Sequence, residues 1–374
     1  MTGSQPTGTP DAGTPGRGPL RTGRLRTGPL RTGPAVVGAA VLLLASVTAA
    51  VTVGPAGIAP ADVWGSIGHH LAALLAPGGA GAEPPLGPLL DGVVWDLRLP
   101  RVLTAGAVGA GLAVAGTVMQ SLTRNPLADP YLLGLSSGAS LGAVAVLVLG
   151  AGVLLPVAAF AGALAALAAA LGLAGSLGTL TPARTVLAGL AVAQLAAAGT
   201  SFIIFWSATG DSYREILAWL MGSLAGADWP AVAIAGGAVL VLGVGLTASA
   251  RTLDAFTFGD TAAAALGVDV ARTRWLLLTV VALLTGALVA VSGSIGFVGL
   301  IVPHAVRLVA GGAHRRLLPL VALVGATFLV WADTAARTLF EPRELPVGIV
   351  TAFLGAPVFA AILWRRRSAS EDLA

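Results

Sequence analysis

From Ala35 to Trp364 the chain is divided into about ten apolar stretches, at roughly 35–53, 99–121, 131–150, 153–173, 184–206, 230–249, 275–292, 295–312, 317–336 and 346–364. A helix crosses the ~30 Å hydrocarbon layer of a bilayer with ~20 residues, so each stretch is about long enough to span. Inside that layer every backbone polar group must find its partner within the protein. A chain built this way is therefore expected to be an all-α polytopic membrane protein. Its charge content agrees. A soluble domain is about a quarter charged, whereas this chain is 10% charged and 56% hydrophobic.

All 21 basic residues are arginine. Without lysine the chain cannot form a GxxxxGK[ST] phosphate loop, so any nucleotide-driven step needs a second polypeptide. The absence of cysteine excludes disulfides, thiolate zinc sites and iron–sulfur clusters. The arginines lie between apolar stretches rather than along one face, which argues against a nucleic-acid partner. With the N-terminus inside and ten spans, sixteen arginines fall on the cytoplasmic side. Five, Arg98, Arg101, Arg214, Arg337 and Arg343, fall outside. That is the positive-inside bias expected of a plasma-membrane protein with both termini cytoplasmic. Trp95, Trp206, Trp229, Trp275 and Trp364 sit at span ends, where an interfacial aromatic belt belongs.

Residues 1–34 are rich in Gly, Pro, Thr and Arg, with LRTG recurring at Leu20, Leu25 and Leu30. They read as a disordered cytoplasmic tail. The first apolar run is longer than the core of a signal peptide and reads as an uncleaved helix. Residues 35–367 form the membrane domain, and 368–374 a cytoplasmic C-terminal tail. Gly109–Val118 (GAGLAVAGTV) and Gly286–Ile295 (GALVAVSGSI) resemble each other, glycines seven apart included. They lie in spans two and seven, which run in opposite directions, the pattern of an inverted repeat.

Few groups in the spans carry chemistry. His304 and Arg307 lie one turn apart, and Asp333 precedes Arg337 by four residues, the spacing of a helical ion pair. His69 and His70 are adjacent on a helix and point ~100° apart, so they rarely share a metal. The segment Asp62–Leu75 reads as an amphipathic helix on the outer surface. An ion-driven carrier would use intramembrane carboxylates, and Asp333 alone qualifies. A transferase of the membrane face would hold Mg²⁺ on paired acidic motifs, and the sequence shows none.

Four ordered motifs carry a resemblance. They are LRLPRVLTAGAVGAGLAVAGTVMQSLTRNPLADPYLLG (Leu97–Gly134), FGDTAAAALGV (Phe258–Val268), GFVGLIVPHAVRLVAGGAHRRLLP (Gly296–Pro319) and ELPVGIVTAFLGAPVF (Glu344–Phe359). The chain resembles the FecCD family of ABC-transporter permeases, importers of iron–siderophore, haem and cobalamin complexes. The likeness covers about residues 35–367, leaving out the Arg-rich tail and the Gly/Pro-rich insert around Pro77–Pro88.

The resemblance implies a type II ABC importer permease fold of ten transmembrane helices. It implies a permease that is not itself an enzyme and holds no cofactor or metal. Expected partners are ABC ATPase subunits, an extracytoplasmic substrate-binding protein, a second permease subunit (a copy or a sibling) and the lipid bilayer. Arg98, Arg101 and Arg337 would receive glutamates of the binding protein on an exposed outer face. The loop 250–274 would couple to the ATPase through Asp260, Ala263, Leu266 and Gly267. There Asp260 would cap a short helix Thr261–Leu266, and Gly267 would end it. The path at the dimer interface would be lined by spans five and ten, with Gln194, Thr200, Ser201, Ser207 and Thr351. By likeness the cargo is expected to be an iron–siderophore, with cobalamin or haem as alternatives.

Overall fold

The computed structural model describes residues 32–54, 56–75, 85–150, 154–176, 178, 181–207 and 210–371. The expected tail lies outside them, apart from its last three residues, which open the first helix. Most of the 77–88 insert also lies outside.

Among the described residues every regular element is helical. The helices are α1 (Thr32–Thr52), α2 (Pro60–Leu75), α3 (Pro88–Gly92), α4 (Leu99–Thr123), α5 (Leu135–Leu149), α6 (Leu155–Ser176), α7 (Pro182–Ser207) and α8 (Gly210–Leu220). There follow α9 (Trp229–Ala238), α10 (Val244–Ala248), α11 (Ala250–Thr257), α12 (Asp260–Ala265), α13 (Val270–Ser292), α14 (Val298–Ala310), α15 (His314–Thr338) and α16 (Val347–Glu371). A π-helical turn, Val93–Arg98, joins α3 to α4, and another, Val239–Gly243, joins α9 to α10. Among the described residues seven helices are long and apolar enough to cross a membrane, and three shorter apolar ones, in α5, α14 and α16, bring the number to the ten expected.

The short helices have local causes. The span expected from residue 131 starts later because Asp129 accepts a hydrogen bond from Tyr131 N and caps a 3-10 turn, Pro130–Leu133. Gly134 then takes φ +80°, which reorients the chain before α5. The second break lies between α13 and α14, where Gly293 and Phe297 both have positive φ. Glycine tolerates that conformation; phenylalanine is strained by it.

Helix α4 is the hub, with 83% of its most apolar stretch buried. It packs on α15, α14, α13 and α9. Glycines allow the approach. A methyl on Gly109 would collide with the carbonyl of Gly325 in α15, and one on Gly116 with the carbonyl of Gly299 in α14. Small residues at a contact draw transmembrane helices together where apolar burial gives no drive.

The repeat expected from the sequence is visible in this packing. Each half runs long helix, break, short helix, long helix, long helix: α4 to α7, then α13 to α16. The halves exchange partners, for α4 lies on α14 and α15 while α13 lies on α5 and α6. Gly109 meets α15, and its counterpart Gly286 meets Phe160 and Ala163 of α6. The two breaks touch. Tyr131 Oη donates to Ile295 O at 3.0 Å, and Ser136 Oγ lies 2.6 Å from Ser294 Oγ.

Some outer features differ from expectation. Trp95 and Trp229 pack on one another with ring centroids 4.8 Å apart. Trp95 stacks on His70 at 4.3 Å. His70 Nε2 lies 2.7 Å from Asp91 Oδ2, and Ser66 Oγ donates to Asp91 Oδ1 at 2.6 Å. His70 thus joins α2 to α3, and no group of three metal-binding side chains occurs among the described residues. The amphipathic α8, with Ile216 buried and Arg214 and Glu215 exposed, was not foreseen.

The α4 contacts give a direct test. Gly116→Ala should destabilise the detergent-purified chain by ~1–3 kcal/mol, the usual penalty of overpacking. Gly237→Ala meets open space and should be neutral or stabilising by up to ~1 kcal/mol, since glycine is the poorer helix former. Thermal unfolding of the two variants side by side decides it.

Candidate functional site

At one end of α4 and α15 the three outer arginines converge on one cavity of about 190 Å³, lined also by Leu97, Ala225 and Glu344. Positions as distant as Arg98 and Arg337 meet because α4 and α15 lie side by side. The expectation that these arginines are exposed is not met. Arg98, Arg101 and Arg337 are 5%, 8% and 4% accessible. A buried guanidinium needs partners, and the fold supplies them. Arg101 binds Asp333 through Nε (2.9 Å to Oδ2) and Nη2 (3.0 Å to Oδ1), and Glu344 Oε2 through Nη1 at 2.7 Å. Arg337 Nη2 donates to Ala50 O at 2.6 Å. Arg98 Nη1 donates to Thr52 O at 3.4 Å.

Asp333 therefore forms its ion pair with Arg101 across the helix interface, not with Arg337 along its own helix. The planar guanidinium fork accepts a carboxylate side-on, and Arg101 offers that geometry. Three guanidiniums face two carboxylates, so the cluster keeps a surplus positive charge. Arg98 Nη2 and Arg337 Nε are buried without a hydrogen-bond partner among the described residues. Glu344 is the exposed member, its side chain 43% accessible while that of Asp333 is 2%. Glu344 was not among the expected site residues. It stands in the quoted ELPVG motif, but only the fold places it on Arg101.

The opposite end of α4 carries the second site. The segment 250–274 forms two helices rather than one, α11 and α12. Ser121 Oγ of α4 donates to Leu253 O of α11 at 3.1 Å. Asp254 Oδ1 accepts from His314 N at 2.9 Å and lies 2.7 Å from His314 Nδ1, tying α11 to α15. Asp260 is not the cap. Gly259, with φ +99°, takes that position, and Asp260 binds Arg274 Nη2 at 2.8 Å. Gly267 ends α12 as expected, with φ +83°. Its N–H bonds Ala264 O, and that of Val268 bonds Ala263 O, the paired closure of a left-handed helix end. Ala263 is fully buried, so it anchors α12. The apolar side chains left bare are Leu266 (70% accessible) and Phe258 (78%). Phe258 had not been singled out.

The five expected pore residues divide. Thr200 and Thr351 are buried and turn their hydroxyls to carbonyls of their own helices, Ala196 at 2.9 Å and Gly348 at 3.1 Å. Gln194 and Ser201 are exposed on α7, beside Leu195, Phe202 and Phe205. On α16, Phe353, Leu354 and Val358 are exposed. Ser207's side chain lies outside the described residues.

The profile of the FecCD transport family matches residues 42–365. The chain belongs to that family. An uncharacterized ABC transporter permease of Bacillus subtilis is 44% identical over 76% of this chain and 82% of its own length. A cobalamin import system permease of Halobacterium salinarum is 48% identical over 72% of this chain and 73% of its own. A hemin transport system permease of Yersinia pestis is 42% identical over 73% and 84%. A solved inward-facing transporter, described as of the metal-chelate ABC type, superposes with a TM-score of 0.76 at 31% identity, covering 89% of this chain and 99% of that one. The protein is thus a multi-pass transport permease with the type II ABC importer fold.

The Arg101 cluster predicts a stability effect. Asp333→Ala leaves a buried cation with only a half-exposed partner and should cost about 3–5 kcal/mol. The double variant Arg101→Leu/Asp333→Leu should lose less than the sum of its single changes, measured by thermal unfolding.

Proposed function

We propose that this permease imports an iron–siderophore-type chelate through the plasma membrane, driven by ABC ATPase subunits seated against α11 and α12. The observation that carries the reading is the projecting helix pair itself. It is fixed to α4 and α15 by Ser121 and His314, and fixed on itself by Asp260–Arg274, yet it leaves Phe258 and Leu266 bare. Apolar side chains on a braced projection suit a protein cleft. The arginine-rich end is then cytoplasmic, as the charge bias requires. Family membership supports a second permease subunit, against which the exposed faces of α7 and α16 would pack. The names of the haem and cobalamin relatives keep those cargoes as alternatives. A secondary carrier is the weaker reading, since Asp333, the carboxylate it would use, is held by Arg101.

On the outer side, a loaded binding protein docks its carboxylates over Arg98, Arg101 and Arg337. The surplus positive charge favours their approach. Because Glu344 already occupies Nη1 of Arg101, docking is an exchange of one carboxylate for another. ATP-driven motion of the ATPases, passed through α11 and α12, then switches the side to which the central path opens.

Two experiments test this. Phe258→Asp with Leu266→Asp should abolish co-purification of the ATPase and stop uptake, leaving thermal stability within ~0.5 kcal/mol because both sites are exposed. Retained assembly would remove the coupling role. Glu344→Gln should tighten binding-protein affinity about two- to fivefold by removing a competing, half-exposed partner. Unchanged or weaker binding would show that Glu344 does not stand in the way. Uptake of labelled ferric siderophore, cobalamin and haem by cells holding the whole system identifies the cargo.

A further inference from the structure

A groove of about 450 Å³ runs between α1 and α14 over α15, independent of both sites above. Its walls are Ala35 and Ala39 of α1, Ala305 and Ala310 of α14, and Leu320 and Val324 of α15. Ala35 and Ala39, Leu320 and Val324, and on α14 Ala305 with Val309 and Val306 with Ala310, are each four apart, so each helix turns one face into the groove. The hollow exists because four of the walls are alanine. No polar side chain lines it.

The groove has a charged mouth. Arg316, Leu320 and Val324 stand at i, i+4 and i+8 of α15 and so share one helix face. At 1.5 Å per residue the groove extends ~12 Å below Arg316, which is headgroup-to-acyl depth. Arg315 and Arg316 are both exposed. Their side chains make no hydrogen bond or ion pair among the described residues. Two free cations above a wholly apolar slot form a two-part surface, and in a bilayer the molecule that matches both parts is an anionic phospholipid.

We propose that this groove is a binding site for one anionic phospholipid, its acyl chain between α1 and α14 and its phosphate on Arg315 and Arg316. The lipid bridges α1 to α14, which lack an extensive contact of their own. A second copy of the chain is the less fitting occupant, because two cations facing their symmetry mates at the mouth would repel.

Native mass spectrometry of the full chain is the test, after reconstitution in vesicles of phosphatidylglycerol and phosphatidylcholine with identical acyl chains. The wild type should retain phosphatidylglycerol preferentially. Arg315→Gln/Arg316→Gln should lose that preference, by about fivefold per arginine removed. Arg251→Gln/Arg272→Gln, which removes two exposed cations from the same end away from the groove, should keep it. Ala39→Leu/Ala305→Leu, which fills the slot, should shed both lipids. Thermal unfolding checks that variant, and if it does not fold, the two arginine pairs decide alone. A preference that survives Arg315→Gln/Arg316→Gln, or falls equally in Arg251→Gln/Arg272→Gln, overturns the site. So does a filled groove that breaks a dimer without changing the lipid count.

Discussion

The structure depends on how closely the backbone of α4 approaches its neighbours. In hydrocarbon there is no solvent to drive apolar surfaces together, so association rests on packing and on polar contacts sheltered within it. Gly109 against Gly325 and Gly116 against Gly299 let α4 sink between α14 and α15 until backbone meets backbone. Polar groups toward both ends of α4 are arranged around that contact. Gln120, one turn beyond Gly116, donates Nε2 to the carbonyls of Gly299 and Leu300, both at 3.3 Å. Its carbonyl oxygen accepts from Arg307 Nη1 at 3.3 Å. Arg101, at the other end, reaches Asp333 only because α15 is held at the same spacing. A larger residue at either glycine would separate the helices and leave these groups unpaired.

The same helix joins the two candidate sites. α4 begins beside the Arg98–Arg101 cluster and ends where Ser121 holds α11. Its 25 residues make a rod about 37 Å long. α15 parallels that link, with Arg337 in its last turn at one end and His314, bound to Asp254, at the other. An event at the arginine cluster and an event at α11–α12 therefore act on the same two rigid bodies. In the proposed cycle no separate relay is required. What is required is that the rods tilt or slide together, with Arg101–Asp333 holding them at one end.

Much of this was legible in the sequence, for a physical reason. Hydrophobic length reports spans directly, so the long helices were found to within a few residues, and Gly267 marked the end of α12 because a left-handed turn favours glycine. Charge identity was legible too, for the three arginines that converge were the three singled out. Their state was not. Arg98, Arg101 and Arg337 read as exposed because they sit at span ends. The carboxylates that bind Arg101 come from α15 and from the segment before α16, more than 230 positions along the chain, and the carbonyls that take Arg98 and Arg337 come from the end of α1. Asp333 was assigned to Arg337 because i to i+4 spacing is the only pairing a linear sequence can display. The π turns left no periodic signal, whereas α8 did carry one, Tyr213, Ile216, Leu217 and Leu220 at i, i+3, i+4 and i+7, but it is too short to read as a span. Thr200 and Thr351 turn their hydroxyls to the preceding turn of their own helices, a self-satisfaction that residue type alone does not reveal.

The breaks in the two halves offer the last step. Interrupting a helix inside the membrane strands backbone groups that water cannot reach, and they must be satisfied by protein. Here the first break lends a donor to the second, Tyr131 donating to the Ile295 carbonyl, and the two also touch through Ser136 and Ser294. Gly293 lies against the carbonyl of Trp219, and Gly222 against that of Ser294, so the segment after α8 is packed into the same point. A rigid helix in either place would need no such contact. The halves are thus joined by polar contacts at their irregular centres, by Arg101–Asp333 and Gln120–Gly299 toward the two ends of α4, and by glycine contacts between.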